Sequence, residues 1–216
     1  MGASSRRGEV SAIRELFKSA NIPQELSYYK IIDMYEESEN ATVDGGDCCA
    51  VYETKHLFMG VSSRTNMEGV QFYHDKLANL GWKVIPIHVK QGLHLKSFMT
   101  YFFCRPQPES FNKEILLTIF DSSIGHDIFK QIEPHSTSEF MYKAVFVPDE
   151  EACNVVNVTN ASQTIIIVKE GYAKSEKILQ DIVHHNENSN LCIQTILYDE
   201  LSLLDGCLSC CSVLLP

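Results

Sequence analysis

Three short polar strings carry the residues best suited to chemistry. They are Asp44-Gly45-Gly46-Asp47, Gly92-Leu93-His94-Leu95-Lys96-Ser97, and Leu204-Asp205-Gly206-Cys207-Leu208-Ser209-Cys210-Cys211-Ser212. Together they supply a carboxylate, an imidazole and a thiol, the parts of a nucleophilic site. A thiol of ordinary pKa, about 8.5, needs a nearby cation or dipole to ionise at neutral pH. A histidine can protonate a leaving group, and a carboxylate can fix its orientation and tautomer. Each string also has a plain structural reading. Asp-Gly-Gly-Asp is a common turn. His94 lies between Leu93 and Leu95, as a core histidine would. Cys210 borders the apolar run Ser212–Leu215, and most buried cysteines are inert. Cys207 and Cys210 form a Cys-x-x-Cys, but Cys48-Cys49 is not spaced to complete a zinc site. Nor does that motif open a helix after a strand, as a thioredoxin-like pair does. Arg64, in Ser62-Ser63-Arg64-Thr65-Asn66, and Arg6, at the head of the first helical segment, add cations suited to bidentate carboxylate binding.

These residues sit between regularly repeated elements. Apolar spacing predicts four amphipathic helices. The first covers Arg6 to Ala20, with Val10, Ile13, Leu16, Phe17 and Ala20 on one face. The others start near Asn66, after Asp121 and near Ala173, and Gly81 stands where a C-cap belongs after the second. Strands are predicted at Cys49–Tyr52, Leu57–Val61, Val84–Val89, Thr100–Cys104, Glu114–Phe120, Lys143–Val147, Asn154–Val158, Thr164–Lys169, Cys192–Tyr198 and Ser212–Leu215. The order strand, strand, helix, strand returns roughly every fifty residues. Such a period suits a ring of like units, with an open α/β sheet as the alternative. In a ring, the polar strings would converge on the axis. The first helix has no hairpin before it and the last strand no helix after it, so a closed ring would lack its opening unit and leave sheet edges to be covered.

Composition narrows the function classes. The chain has 216 residues, 44% hydrophobic and 21% charged, an ordinary globular balance. That length suits a single domain with its own core. A formal net charge of −10 disfavours nucleic acid and anionic membrane surfaces as partners. No apolar run approaches a membrane-spanning length, and the N-terminal residues do not read as a signal peptide. Two adjacent pairs among eight cysteines make a poor disulfide framework, so reduced thiols and a cytoplasmic location are expected. The three Asn-x-Ser/Thr sequons are then chance occurrences.

Taken together, Asn40 to Asp47, Gly60 to Asn66, Gly92 to Phe98 and Asp205 to Leu214 resemble, in order and spacing, the dimethylarginine dimethylaminohydrolase family of guanidine-modifying (pentein) enzymes. The resemblance runs from about Gly2 to Leu215. It implies an α/β propeller of five-fold pseudosymmetry, of which this chain would hold about four units in one domain. It implies hydrolysis of Nω-methylated arginine to citrulline and a methylamine, without cofactor or required metal. By the same resemblance Cys210 is the nucleophile that forms a covalent thiouronium, His94 the general acid and base, and Asp44 its orienting carboxylate. Arg6 and Arg64 would hold the substrate carboxylate, the Leu204 carbonyl its α-amine, and Asp205 its guanidinium. Zinc at Cys210 would inhibit.

The family's N-terminal stretch, with its acidic guanidinium clamp, has no counterpart ahead of Arg6. An incomplete ring points to self-association through its open edges. Two other readings stay open: an inactive pentein acting as a binding or regulatory protein, and an arginine deiminase. The physical chemistry suits the family reaction. A guanidinium becomes electrophilic only when carboxylates localise its charge, and a thiolate beside it splits one hard hydrolysis into two easier steps.

Overall fold

The computed structural model describes residues 8–18, 31–103, 113–159, 163–185, 191–203 and 206–212. Helix α1 (Glu9–Lys18) and the short helix α2 (Met34–Glu37) come first. Three like units follow. The first is β1 (Cys48–Val51), β2 (His56–Val61), α3 (Met67–Leu77) and β3 (Lys83–His88). The second is β4 (Met99–Phe103), β5 (Lys113–Phe120), α4 (Ser123–Ile132) and β6 (Phe140–Val147). The third is β7 (Val156–Thr159), β8 (Thr164–Lys169), α5 (Ala173–His185) and β9 (Leu191–Ile196). A one-turn helix, α6 (Asp199–Ser202), comes after it.

In every unit the first two strands form an antiparallel hairpin and the third returns through the helix to pair in parallel with the second. The parallel pair needs that crossover, because a tight turn cannot reverse the chain twice. The first strands adjoin one another, β1 beside β4 and β4 beside β7. Each unit thus presents its hairpin edge inward and its helix outward, as in a propeller of α/β blades.

The helices fill the spaces between sheets. Helix α4 sets Ile128 and Ile132 into a core shared by Phe58, Ile85 and Ile87 of the first sheet and Ile115, Leu117 and Ile119 of the second. Helix α5 sets Leu179 against Leu116 and Val145 of the second sheet and Ile166 and Val168 of the third. Helix α3 covers Leu57, Met59 and Val84 on the other face of the first sheet. The central strands are buried on both faces, which explains runs such as Ile115–Ile119 with little alternation.

Two of the three crossover helices begin the same way. Asn66 and Ser122 are N-caps that accept from the amides of Gly69 and Gly125 three residues on. A Cβ on Gly69 would stand 2.4 Å from the Thr42 carbonyl oxygen, and one on Gly125 2.1 Å from that of Phe120. The third helix carries the small, fully buried Ser175 in its first turn, bound to Asp149 at 2.7 Å. Gly81, at φ 77°, ends the turn after α3, as its sequence position predicts.

Several expected boundaries move. Strand β7 starts at Val156 rather than Asn154, because the Asn154 side chain binds neighbouring turns and its backbone completes a 3₁₀ turn. Strand β6 extends back to Phe140, to pair with the full length of β5. Of the expected strand Ser212–Leu215, Ser212 caps a 3₁₀ turn over Leu208–Cys211, and the rest lies outside the described residues. The apolar face read for the first helix is only partly covered, with Val10 and Phe17 half-buried. No residue of α1 is buried, and Ile13 is 54% exposed. Its Arg14 pairs with Asp33 and lies over the Tyr35 ring; Ala20 lies outside the described residues.

One polar network is buried away from the axis. His56 Nδ1 meets the Tyr142 hydroxyl at 2.8 Å, which meets Thr54 Oγ1 at 2.9 Å. Rings of Phe58, Phe140 and Tyr142 surround the imidazole, and His135 and Lys83 stand nearby. Burial, reinforced by the Lys83 and His135 charges, pushes the His56 pKa from 6.5 down to about 4.

Two outcomes are expected. Gly125→Ala drives a methyl into a backbone carbonyl that cannot yield, and should cost about 1–3 kcal/mol in urea unfolding. Between pH 6.5 and about 4 the unfolded chain binds a proton at His56 that the folded chain refuses. Stability should therefore fall as pH drops through that window, by up to about 1.4 kcal/mol per pH unit, and His56→Gln should flatten the profile there.

Candidate active site

Four 3₁₀ turns stand at the inner ends of the chain's repeats: Gly45–Asp47 before β1, Leu95–Ser97 before β4, Glu151–Cys153 before β7, and Leu208–Cys211. Asp44, His94 and Cys207 are extended residues that open three of them. Their expected convergence is observed, since the first turn lies against both the second and the last.

Asp47 fastens the first two turns together. Its carboxylate is wholly buried. Oδ1 accepts from the Leu95 amide at 2.8 Å, and Oδ2 accepts from the hydroxyls of Ser62 at 2.8 Å and Thr65 at 2.7 Å. Three donors offset the cost of burying the charge. Thr65 Oγ1 also accepts from the Asp44 amide at 3.1 Å, so the strand-to-helix loop that bears Arg64 is tied to the same carboxylate. The approach is close throughout. A Cβ on Gly60 would stand 2.5 Å from Asp47 Oδ1, and one on Gly46 2.6 Å from the His94 ring.

His94 and Asp44 come together as expected, Nε2 to Oδ2 at 3.4 Å. The contact is long for a hydrogen bond, as catalytic contacts commonly are before substrate binds. Both side chains are largely shielded. Arg64 is half-buried; its amide donates to Ser62 Oγ at 3.0 Å, and its guanidinium makes no ion pair with a described residue. Arg6, Leu204 and Asp205 lie outside the described residues.

Asn154 is a site residue that sequence reasoning missed. Its amide is buried and donates to the Lys96 carbonyl at 2.9 Å and to Ser209 Oγ at 3.0 Å, while its carbonyl oxygen accepts from the Ser209 amide at 2.9 Å. It therefore bolts the cysteine turn to the histidine turn. Its signal was positional: it follows the turn before the third hairpin, where the first unit has Asp47 before its own.

The cysteines divide by environment. Burial pushes the Cys48 thiol up to about 12 and the Cys49 thiol up to about 11. Cys153 is raised by burial as well. Cys210 is exposed, and its Sγ lies 3.0 Å from Sγ of Cys207. Donation from Cys210, and from Ser209, draws the Cys207 pKa down to about 5 against the opposing effect of burial. The same contact, with burial, holds the Cys210 proton in place and raises its thiol. Among the described residues, no group of three or more His, Cys, Asp or Glu side chains is arranged to hold a metal ion.

A cleft of about 190 Å³ lies beside these turns, lined among others by Cys48, Lys96, Tyr101, Ser209 and Ser212. The larger cleft, about 630 Å³, lies between α1 and the 31–37 segment and is lined by none of the predicted site residues that are described.

The Asp47 contacts make a direct prediction. Asp47→Ala leaves one buried amide and two hydroxyls without their acceptor, and should cost about 2–4 kcal/mol in chemical unfolding. Asp47→Asn keeps one acceptor oxygen and should lose less.

Residues 1–103 match the family model described as "N,N dimethylarginine dimethylhydrolase, eukaryotic". The N(G),N(G)-dimethylarginine dimethylaminohydrolase of Streptomyces coelicolor is 26% identical over 214 residues, 98% of this chain and 66% of the relative. A histidine-to-glycine dimethylarginine dimethylaminohydrolase bearing an S-methyl-L-thiocitrulline adduct superposes with a TM-score of 0.61 at 22% identity, covering 97% of this chain and 66% of that one. A cysteine-to-serine form of the Pseudomonas aeruginosa enzyme, complexed with citrulline, gives 0.55 at 21% identity, covering 96% and 66%. The chain thus spans about two thirds of the length of these relatives. The repeated α/β blades, the joined Asp44–His94 turns and these likenesses lead to one conclusion: the chain is similar to the dimethylarginine dimethylaminohydrolases and has their pentein fold.

Proposed function

We propose that the chain hydrolyses Nω-methylated arginine, asymmetric dimethylarginine or the monomethyl form, to citrulline and the corresponding amine, with Cys210 as nucleophile. The observation that carries this reading is the gathering of the Asp44–His94 pair and the Cys210 turn at one end of the inner strands. Asp44 orients the imidazole. His94 gives a proton to the departing amine and then takes one from the water that releases citrulline. Cys210 attacks the guanidinium carbon, and the thiouronium so formed divides the reaction in two. Arg64 and Arg6 bind the substrate carboxylate. The Leu204 carbonyl and Asp205 receive the amine and the guanidinium. The four-of-five-unit, single-domain organisation belongs to the same reading, as do a soluble cytoplasmic setting and self-association at the open edge.

The Cys207 contact adds a requirement. Cys210 must give up its proton and leave Cys207 before it attacks. A bound guanidinium next to the sulfur supplies the positive charge that favours this change.

Citrulline release from asymmetric dimethylarginine by the 216-residue chain tests the proposal. Cys210→Ser and His94→Gly should each lower kcat by at least about 10²-fold. Cys207→Ala removes the group that raises the Cys210 thiol, so its activity should persist and its rise with pH should begin at lower pH. A folded chain that releases no citrulline, yet binds asymmetric dimethylarginine, would instead indicate an inactive binding protein. Turnover of arginine but not of its methylated forms would indicate a deiminase.

A further inference from the structure

The Cys207–Cys210 contact has a use beyond proton sharing. The two sulfurs are 3.0 Å apart, inside the packing distance of two unbonded sulfurs and about 1 Å beyond a covalent S–S bond. The pair spans one 3₁₀ turn, closed by the Cys210 amide donating to the Cys207 carbonyl at 3.0 Å. Cys207 is the extended residue that opens this turn and Cys210 lies within it, so the bond between their backbones keeps the two residues close. That backbone is fastened. Ser209, between the two cysteines, is held twice by Asn154, and the Cys207 carbonyl also accepts from the Tyr198 hydroxyl at 3.0 Å. Cys207 is half-buried and Cys210 exposed, so a small oxidant can reach the pair.

We infer that Cys207 and Cys210 form a reversible intramolecular disulfide when the chain meets a hydroperoxide, which makes this turn a site of oxidative modification. The Cys207 thiolate attacks one peroxide oxygen, the O–O bond breaks, and a sulfenic acid forms with loss of hydroxide or alkoxide. The Cys210 sulfur then attacks the Cys207 sulfur. The S–S bond forms, and the hydroxyl leaves with the Cys210 proton as water. The two sulfurs together lose two electrons, and the peroxide is reduced. The lowered pKa of Cys207 supports this order of events, since the thiolate is the attacking species. An exposed bridge across so short a loop is easily reduced, so a dithiol should restore both thiols.

The modification does not depend on the hydrolase reading, although its effect on turnover does: a bridged Cys210 cannot attack a guanidinium.

The test is peptide mapping by mass after the reduced 216-residue chain is treated with hydrogen peroxide and its remaining thiols are alkylated. The expected product has lost two hydrogens, carries the crosslink between Cys207 and Cys210, and reverts with dithiothreitol. Cys211→Ala should keep the crosslink. Cys207→Ala should lose it and gain oxygen on Cys210, with an unchanged circular dichroism spectrum. Oxygen added to Cys210 of the unmutated chain without a crosslink would overturn the inference, as would a bridge to Cys211 or Cys192. The readout is a mass, so a chain without hydrolase activity can still show the bridge. An active chain without the bridge would overturn this inference alone.

Discussion

The buried carboxylate of Asp47 is the interaction on which the inner end of the structure depends. It joins the turn before β1, the loop between β2 and α3, and the backbone just after His94. Without it, two segments distant in sequence would present three unpaired donors, the Ser62 and Thr65 hydroxyls and the Leu95 amide, to a dry interior. Such a group costs more to leave unmet than a made bond contributes, which makes the arrangement close to all-or-none. The flanking glycines belong to the same constraint. Gly60 and Gly46 leave room for the carboxylate and for the His94 ring where any Cβ would intrude. Asp47 need never touch a substrate to matter, because it sets where the imidazole stands.

The same geometry recurs with different chemistry. Each unit brings a 3₁₀ turn to the inner end of its first strand, and the crossover helix packs behind it. The scaffold thus offers equivalent stations at which side chains can vary while the backbone stays. One station holds Asp44, another His94, and the last holds the Cys207–Cys210 pair. The third contributes Asn154, which carries no charge yet ties two of the others together. A site built on such stations is positioned by sheet packing, with little reliance on loop rigidity.

Environment, rather than residue type, separates the cysteines. Cys48, Cys49 and Cys153 are packed among apolar groups that penalise the thiolate. Cys207, half-buried, and Cys210, exposed, face one another with their sulfurs 3.0 Å apart. Seven of the eight cysteines are described, and only this pair has a short sulfur–sulfur contact among them.

Much of this was legible in the sequence for reasons that are local. Helix caps such as Asn66, the left-handed stop at Gly81 and the apolar spacing of α3, α4 and α5 follow from backbone stereochemistry and period alone, and so does the recurrence of the unit. The pairing of Asp44 with His94 could be expected once the repeat was seen, because equivalent turns must meet at a common axis. Three things were decided only by tertiary packing. Asp47 and Asn154 look like ordinary turn residues until their partners, up to 58 positions away, are in place. Helix α1 reads as amphipathic, but none of its described residues is fully buried, and Ile13 and Leu16 stay exposed. Cys210 reads as a thiol beside an apolar strand, yet the 3₁₀ turn faces it toward Cys207. Local sequence sets the preferences of a segment; which groups share a dry interior depends on contacts between segments, and no spacing rule encodes those.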